Sequence, residues 1–311
     1  MVDIPRGGAG SPIVFDGWRS ISIALYMALV GYSVMVSVPV LSTALVNMMG
    51  FTEEQVGRVW GADLGGLSFG AVLSAFLVAR VNRRILVAAG IILSLGANAL
   101  CMVIVDYEQV LWLRAAAGTG SGIFTAVAVV TLGATTNPAR AFNMLLFGFA
   151  FSTAGELHIL PKMEMSEIYL FFIGLTVVCA LFLHWLPSRP LNEEELAQQE
   201  QIEEDVENWH VPRYIPVICL IAVCFSYINI GGYYTYVELA ALADGVAKDW
   251  VGPVLTWSSI FAIVGCVIAF FCTRFGLFKP LFLSLPAIAL VVMMLAGGVD
   301  DVNIVVSLFG F

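Results

Sequence analysis

The sequence predicts an all-α, polytopic membrane helix bundle, and three observations carry that prediction. Of its 311 residues, 60% are hydrophobic and only 12% charged, with a mean hydropathy of +0.93. A soluble chain averages about a quarter charged. Apolar runs long enough to cross the roughly 30 Å of a bilayer's hydrocarbon recur along the whole chain. One short basic turn between two such runs, Ala79-Arg80-Val81-Asn82-Arg83-Arg84, has a later counterpart in Thr273-Arg274-Phe275-Gly276-Leu277-Phe278-Lys279. Arg80 and Arg274 are 194 residues apart, so a bundle is written twice, as many secondary transporters are built.

At about 20 residues per crossing, spans are expected at approximately 20–46, 55–79, 85–105, 109–134, 141–160, 167–187, 214–238, 251–273 and 278–298. Thr52 with Gln55 offers a capping-box start for the second span. Asn137-Pro138 and Pro161 bracket the fifth, and Pro187 and Pro190 end the sixth. The chain then divides into a tail (1–19), a complete six-helix bundle (20–187), an acidic linker (188–213) and a second bundle (214–311). That second bundle holds helices 7 to 9 and part of 10, so about 9 to 10 helices are expected in all. The same offset would place the end of a twelfth helix near position 381. After Asp301 only Val302 to Phe311 remain, about 15 Å of helix. The second half is therefore expected to be incomplete, its C-terminal end truncated.

Lysine and arginine placement orients the bundle. With the N-terminus inside, one side receives Arg6, Arg19, Arg80, Arg83, Arg84, Arg140, Arg189, Arg213, Arg274 and Lys279. The other receives Arg58, Lys162 and Lys248. The expectation is an integral protein of the cell's plasma or inner membrane with a cytoplasmic N-terminus. The net charge of −9 is misleading as a whole-chain figure, because Glu193, Glu194, Glu195, Glu200, Glu203, Glu204, Asp205 and Glu207 lie together in the linker. It therefore points to a solvated connector, not to a nucleic-acid or acidic-substrate partner. The six cysteines lie in or at the ends of apolar runs without a CxxC pair, so no disulfide framework, metal site or cofactor is expected. His158, His184 and His210 fall in different segments, which leaves no side-chain cluster for a membrane-embedded enzyme.

The turn at 75–84 resembles the signature of the major facilitator superfamily, roughly Gly-x-Leu-x-Asp-Arg-x-Gly-Arg-Arg. Leu77, Arg80, Arg83 and Arg84 match; Ala79 replaces the aspartate, and Ala75 and Asn82 replace the glycines. In that family the aspartate helps latch the two halves on the cytoplasmic side. Arg114-Ala115-Ala116-Ala117-Gly118-Thr119-Gly120 is similar to a second signature, Arg-x-x-x-Gly-x-Gly, whose arginine is associated with proton coupling; the usual glutamine is Ala117 here. The glycine-proline motif of drug/proton antiporters is absent from the fifth span, where Gly148 and Gly155 lack a proline. The resemblance implies two six-helix halves and alternating access around a midplane site.

Ionisable side chains within a span face a cavity or each other. Asp63, Arg114, Glu156, His158 and Glu238 are such residues. At 1.5 Å per residue, Asp63 lies roughly 12 Å deep and Arg114 about 8 Å deep from the outer boundary, with Glu156 at a similar depth. Arg114 is expected to pair with Glu156 or Asp63. Burial disfavours a carboxylate's charged form and a nearby guanidinium favours it, so a change of partner could move a proton on and off; a static ion pair is the competing reading. Imidazole titrates near neutral pH, which puts His158 forward as a relay; a position at the outer interface near Pro161 and Lys162 competes. Tyr233, Tyr234, Tyr236 and Glu238 close the outer end of the seventh span, as a gate, a substrate contact or an interfacial aromatic belt, and Asn229 one turn deeper is a candidate cavity residue. Gly57, Gly61 and Gly65 form a small-residue ridge expected to let helices approach closely. The chain is accordingly expected to be a monomeric secondary active transporter, moving a small organic solute with protons. A facilitative uniporter or a non-transporting receptor-like protein is the alternative.

Overall fold

The computed structural model describes residues 14–187, apart from Ala79, and individual positions between 214 and 264. Seven helices run through the first half: α1 (Trp18–Val36), α2 (Val38–Met49), α3 (Glu53–Leu77), α4 (Arg83–Cys101), α5 (Tyr107–Gly133), α6 (Pro138–Ile159) and α7 (Met165–Phe182). Among the described residues six helices are long and apolar enough to cross a membrane, with α2 a shorter apolar companion. The expected spans at 55–79, 85–105, 109–134, 141–160 and 167–187 correspond to α3 to α7. Asn229, Tyr233, Tyr234 and Arg274 lie outside the described residues.

Helix starts follow their capping residues. Thr52 and Gln55 form the expected capping box at α3. Asn82, Asp106 and Asn137 accept hydrogen bonds from backbone N–H groups in the first turns of α4, α5 and α6. The first expected span, 20–46, is not one helix. It breaks at Ser37, between α1 and α2. Pro39 has no N–H for the carbonyl of Met35, yet its fixed φ suits the first turn of a new helix. α2 then closes on Gly50 at φ +72, a left-handed value that favours glycine.

The tightest packing joins α3 to α5. A Cβ added at Gly66 or Gly70 would collide with the carbonyl of Ala115 or Thr119, and one at Gly118 or Gly122 with the carbonyl of Asp63 or Leu67. The two backbones therefore touch. The expected ridge, Gly57-Gly61-Gly65, serves a different neighbour: Gly57 meets the hydroxyl of Tyr236 from the second half, and among the described residues nothing lies within 4 Å of a Cβ added at Gly61 or Gly65. Helical geometry separates the two sets. Asp63, Gly66 and Gly70 share the face turned to α5, and the expected ridge lies on another.

Two buried apolar clusters hold the bundle. One includes Leu41, Leu45, Val56, Val59, Val110, Leu157, Leu160 and Ile168, and is joined by Ala241, Val246, Val251 and Val254 from the second half. The other includes Met27, Val87, Phe124, Val127, Leu132 and Leu186. Outward, Phe69, Val72, Phe76, Ile92, Trp112 and Leu181 are exposed, which suits lipid as the surrounding solvent. Alternating helix directions bring Arg19, Arg80, Arg83, Arg84 and Arg140 to one end, hereafter the basic end. Glu53, Glu54, Asp106, Glu108, Glu164 and Glu167 come to the other.

Candidate functional site

Arg114 lies in the second turn of α5 and is only 2% exposed. Its Nη2 donates to Asp63 Oδ1 on α3 at 2.8 Å, and its Nη1 donates to Asn98 Oδ1 on α4 at 2.8 Å. Asn98 is oriented in turn by its own Nδ2, which donates to the Ser94 carbonyl at 2.9 Å. The guanidinium also lies 5.8 Å from the centre of the Trp60 ring. One cation thus ties three helices together, and both charges keep strong partners away from water. The glycine contacts between α3 and α5 make this reach possible, because they bring the two backbones together beside Asp63.

A small cavity adjoins the pair, lined by Ser94, Asn98, Arg114 and Ser121 together with apolar side chains such as Val34 and Phe172. Arg114 Nε has no hydrogen-bond partner among the described residues.

Glu156 sits apart from Arg114, in the last turn of α6, and is 4% exposed. Its Oε2 accepts from Ser37 Oγ at 2.6 Å and its Oε1 from Ser152 Oγ at 2.8 Å. Among the described residues it makes no ion pair. Ser37 is the residue at which the first span breaks, so this carboxyl joins α6 to the joint between α1 and α2. Of the two acids that could have met Arg114, Asp63 does so and Glu156 does not.

His158 is exposed, with Nε2 2.9 Å from Lys162 Nζ, toward the acidic end. Tyr236 donates its hydroxyl to the carbonyl of Glu53 at 3.3 Å, linking the second half to the start of α3. Glu238 is buried. At the basic end Arg83 is buried with its guanidinium 4.7 Å from the Phe15 ring centre, while Arg80 is exposed. Sequence reasoning missed Asn98, Ser37 and Ser152. The four-residue spacings Ser94–Asn98 and Ser152–Glu156 were the available signals, since such pairs share a helix face.

The family comparison decides what this bundle is: the model of the Major Facilitator Superfamily matches residues 23–311. The chain belongs to the major facilitator superfamily. Solved structures agree on the fold. A D-xylose–proton symporter matches with a TM-score of 0.66 and 15% identity, over 94% of this chain and 80% of that one. The nucleoside transporter NupG matches with 0.65 and 12%, over 93% and 78%. The xylose transporter XylE from E. coli, in an inward-open conformation, matches with 0.59 and 16%, over 93% and 79%. No curated protein matches the sequence. This superfamily member is thus an integral membrane protein with a transporter fold.

Proposed function

We propose that this superfamily member is a secondary active transporter that moves a small organic solute by alternating access, and that Glu156 carries the coupled proton. The observation that supports this reading is the contrast in counter-charge. Asp63 already has a buried cation, whereas Glu156 has two serine hydroxyls and no cation among the described residues. An ionised carboxylate in that position is a buried charge without compensation, an expensive state. Taking up a proton removes the charge, leaves one oxygen to accept from a serine and gives the other an O–H that can donate to the second serine. Arg114 and Asp63 act as the fixed frame of the bundle, around which Glu156 titrates.

Within this reading, the basic end is cytoplasmic, residues 20–187 form the bundle that rocks against the residues after 214, and 188–213 are the connector. Tyr236 on Gly57 and the apolar contact of Ala241, Val246, Val251 and Val254 keep the acidic, outer end closed. That arrangement suits a state open toward the cytoplasm. Tyr233, Tyr234 and Glu238 belong to the same gate, and Asn229 to the solute cavity.

The test is labelling with dicyclohexylcarbodiimide, which reacts with protonated carboxyls in apolar surroundings. Mass spectrometry of the labelled, detergent-purified chain is expected to find the adduct on Glu156 and not on Asp63, with yield falling as pH rises. An adduct on Asp63 alone, or none on Glu156 at any pH, would overturn the assignment. Proteoliposome uptake of pentoses and nucleosides under an imposed pH gradient then asks which solute class the proton drives.

A further inference from the structure

At the basic end, the start of α1 and the turn after α7 meet in a cluster of aromatic rings around one arginine. The rings of Trp18 and Trp185 stand edge to face with centroids 5.1 Å apart. The Arg19 guanidinium lies 5.5 Å from the centre of the first and 5.9 Å from the second. Phe182 and His184 pack on Trp185 at 4.7 and 6.0 Å. Arg84, from the start of α4, fixes this turn by donating from Nε to the Leu186 carbonyl at 2.6 Å and from Nη2 to the His184 carbonyl at 2.7 Å. The corner is therefore built from three helices, not from one mobile side chain.

Its charge is unbalanced. Among the described residues no carboxylate pairs with Arg19, Arg80, Arg84 or Arg140. The nearby Asp16 is engaged by the backbone N–H and hydroxyl of Thr136. Arg19 also occupies the first turn of α1, where the positive pole of the helix disfavours a cation, and Gly17 brings no capping side chain. Among the described residues the position thus favours an anion. The surface at this end is also apolar: Trp18 is 65% exposed, and Ile85 in the first turn of α4 and Leu181 and Phe182 in the last turn of α7 are exposed too. A phosphate at the guanidinium with acyl carbons along such side chains suits that combination. Exposed tryptophans are also at home at headgroup depth.

We infer that this corner binds an anionic phospholipid of the leaflet at the basic end, with Arg19 holding the headgroup phosphate and Trp18 and Trp185 seating the glycerol-ester region. Arg84 is a positioning residue that holds Trp185. The inference concerns a lipid-facing corner remote from Glu156, and it stands or falls without any transport measurement.

The experiment is native mass spectrometry of the detergent-purified chain titrated with phosphatidylglycerol, with phosphatidylcholine and with glycerol 3-phosphate. Phosphatidylglycerol is expected to bind about fivefold more tightly than phosphatidylcholine, the scale of one arginine at an anionic surface. Arg19→Gln should abolish that difference, and Arg140→Gln, at an exposed arginine of the same end with no ring over its guanidinium among the described residues, should leave it intact. Trp18→Leu, which keeps the apolar surface but removes a ring from the guanidinium, should reduce it partly. Equal binding of both lipids, an unchanged preference in Arg19→Gln, or displacement of phosphatidylglycerol by equimolar glycerol 3-phosphate would each overturn the inference. The last result would instead mark a site for water-soluble phosphates.

Discussion

Asp63 and Glu156 are both buried carboxyls of the same bundle, yet their surroundings differ in every respect that matters for a charge. Asp63 faces α5 across a contact so close that glycines replace side chains on both helices, and it meets a guanidinium that is itself oriented by Asn98. Glu156 lies in the last turn of α6, where a negative charge opposes the helix dipole, and among the described residues meets only hydroxyls. The first environment holds its charge in place. The second tolerates a carboxyl best when that charge is absent. Under the proposed proton-coupled function both kinds of site have a use, since a bundle that moves as a unit requires rigid internal ties and a titrating group must be free to change state.

The comparison predicts, first and largest, that removing the cation is severe. Arg114→Gln leaves Asp63 buried without its partner, a loss of about 3–5 kcal/mol for a broken buried pair. Thermal unfolding in detergent should show it, and the double variant Asp63→Asn/Arg114→Gln should recover a substantial part, because the stranded charge is then gone. If the single and double variants unfold alike, the pair is not what ties α3 to α5. Gly118→Ala comes next. Its new Cβ meets the carbonyl of Asp63 itself, so α3 must shift, at roughly 1–3 kcal/mol for overpacking. Gly61→Ala, on the same helix as Asp63 with nothing among the described residues within 4 Å of the added Cβ, should be neutral in the same assay.

How much of this was legible beforehand follows from the same two acids. Hydropathy and capping residues located α3 to α7, with expected starts a few residues late because the polar residues of the first turns fall outside an apolar window. That Arg114 must find an acid followed from the cost of burying it. Which acid it would find did not, because pairing depends on which faces of α3 and α6 turn toward α5. That choice is made by backbone contact at Gly66, Gly70, Gly118 and Gly122, whereas the visible ridge of Gly57, Gly61 and Gly65 drew attention to a different face. The break at Ser37 was hidden for another reason. Val38-Pro39 lies inside an uninterrupted apolar run, and hydropathy does not register a missing backbone donor.

The third prediction reverses the first. Glu156→Gln keeps an acceptor for one of Ser37 and Ser152, offers its NH2 to the hydroxyl oxygen of the other and removes the titrating proton, so stability should change by about 1 kcal/mol at most, the scale of an ordinary hydrogen bond. Transport should behave otherwise: uptake driven by a pH gradient should be lost, while solute exchange at equal pH persists. Retention of proton-driven uptake in Glu156→Gln, alongside its loss in a folded Asp63 variant, would exchange the roles of the two acids.

The smallest effect is expected at Ser37, and it probes how a proton on Glu156 could reach the rest of the bundle. Ser37→Ala deletes one hydrogen bond to Glu156, about 1 kcal/mol, and leaves the Ser152 bond untouched. If that serine merely packs, Ser37→Ala should lower stability slightly and leave the pH dependence of carbodiimide labelling where it was. If the hydroxyl senses the protonation state at the joint of α1 and α2, the labelling profile should shift along the pH axis, because a donor to the carboxylate favours the ionised form and its loss favours the protonated one. The shift is therefore toward higher pH, and Ser37→Thr, which restores a hydroxyl, should move it back. The joint at Pro39 gives such a change somewhere to go, since α1 and α2 are not held in line by a continuous ladder of backbone bonds.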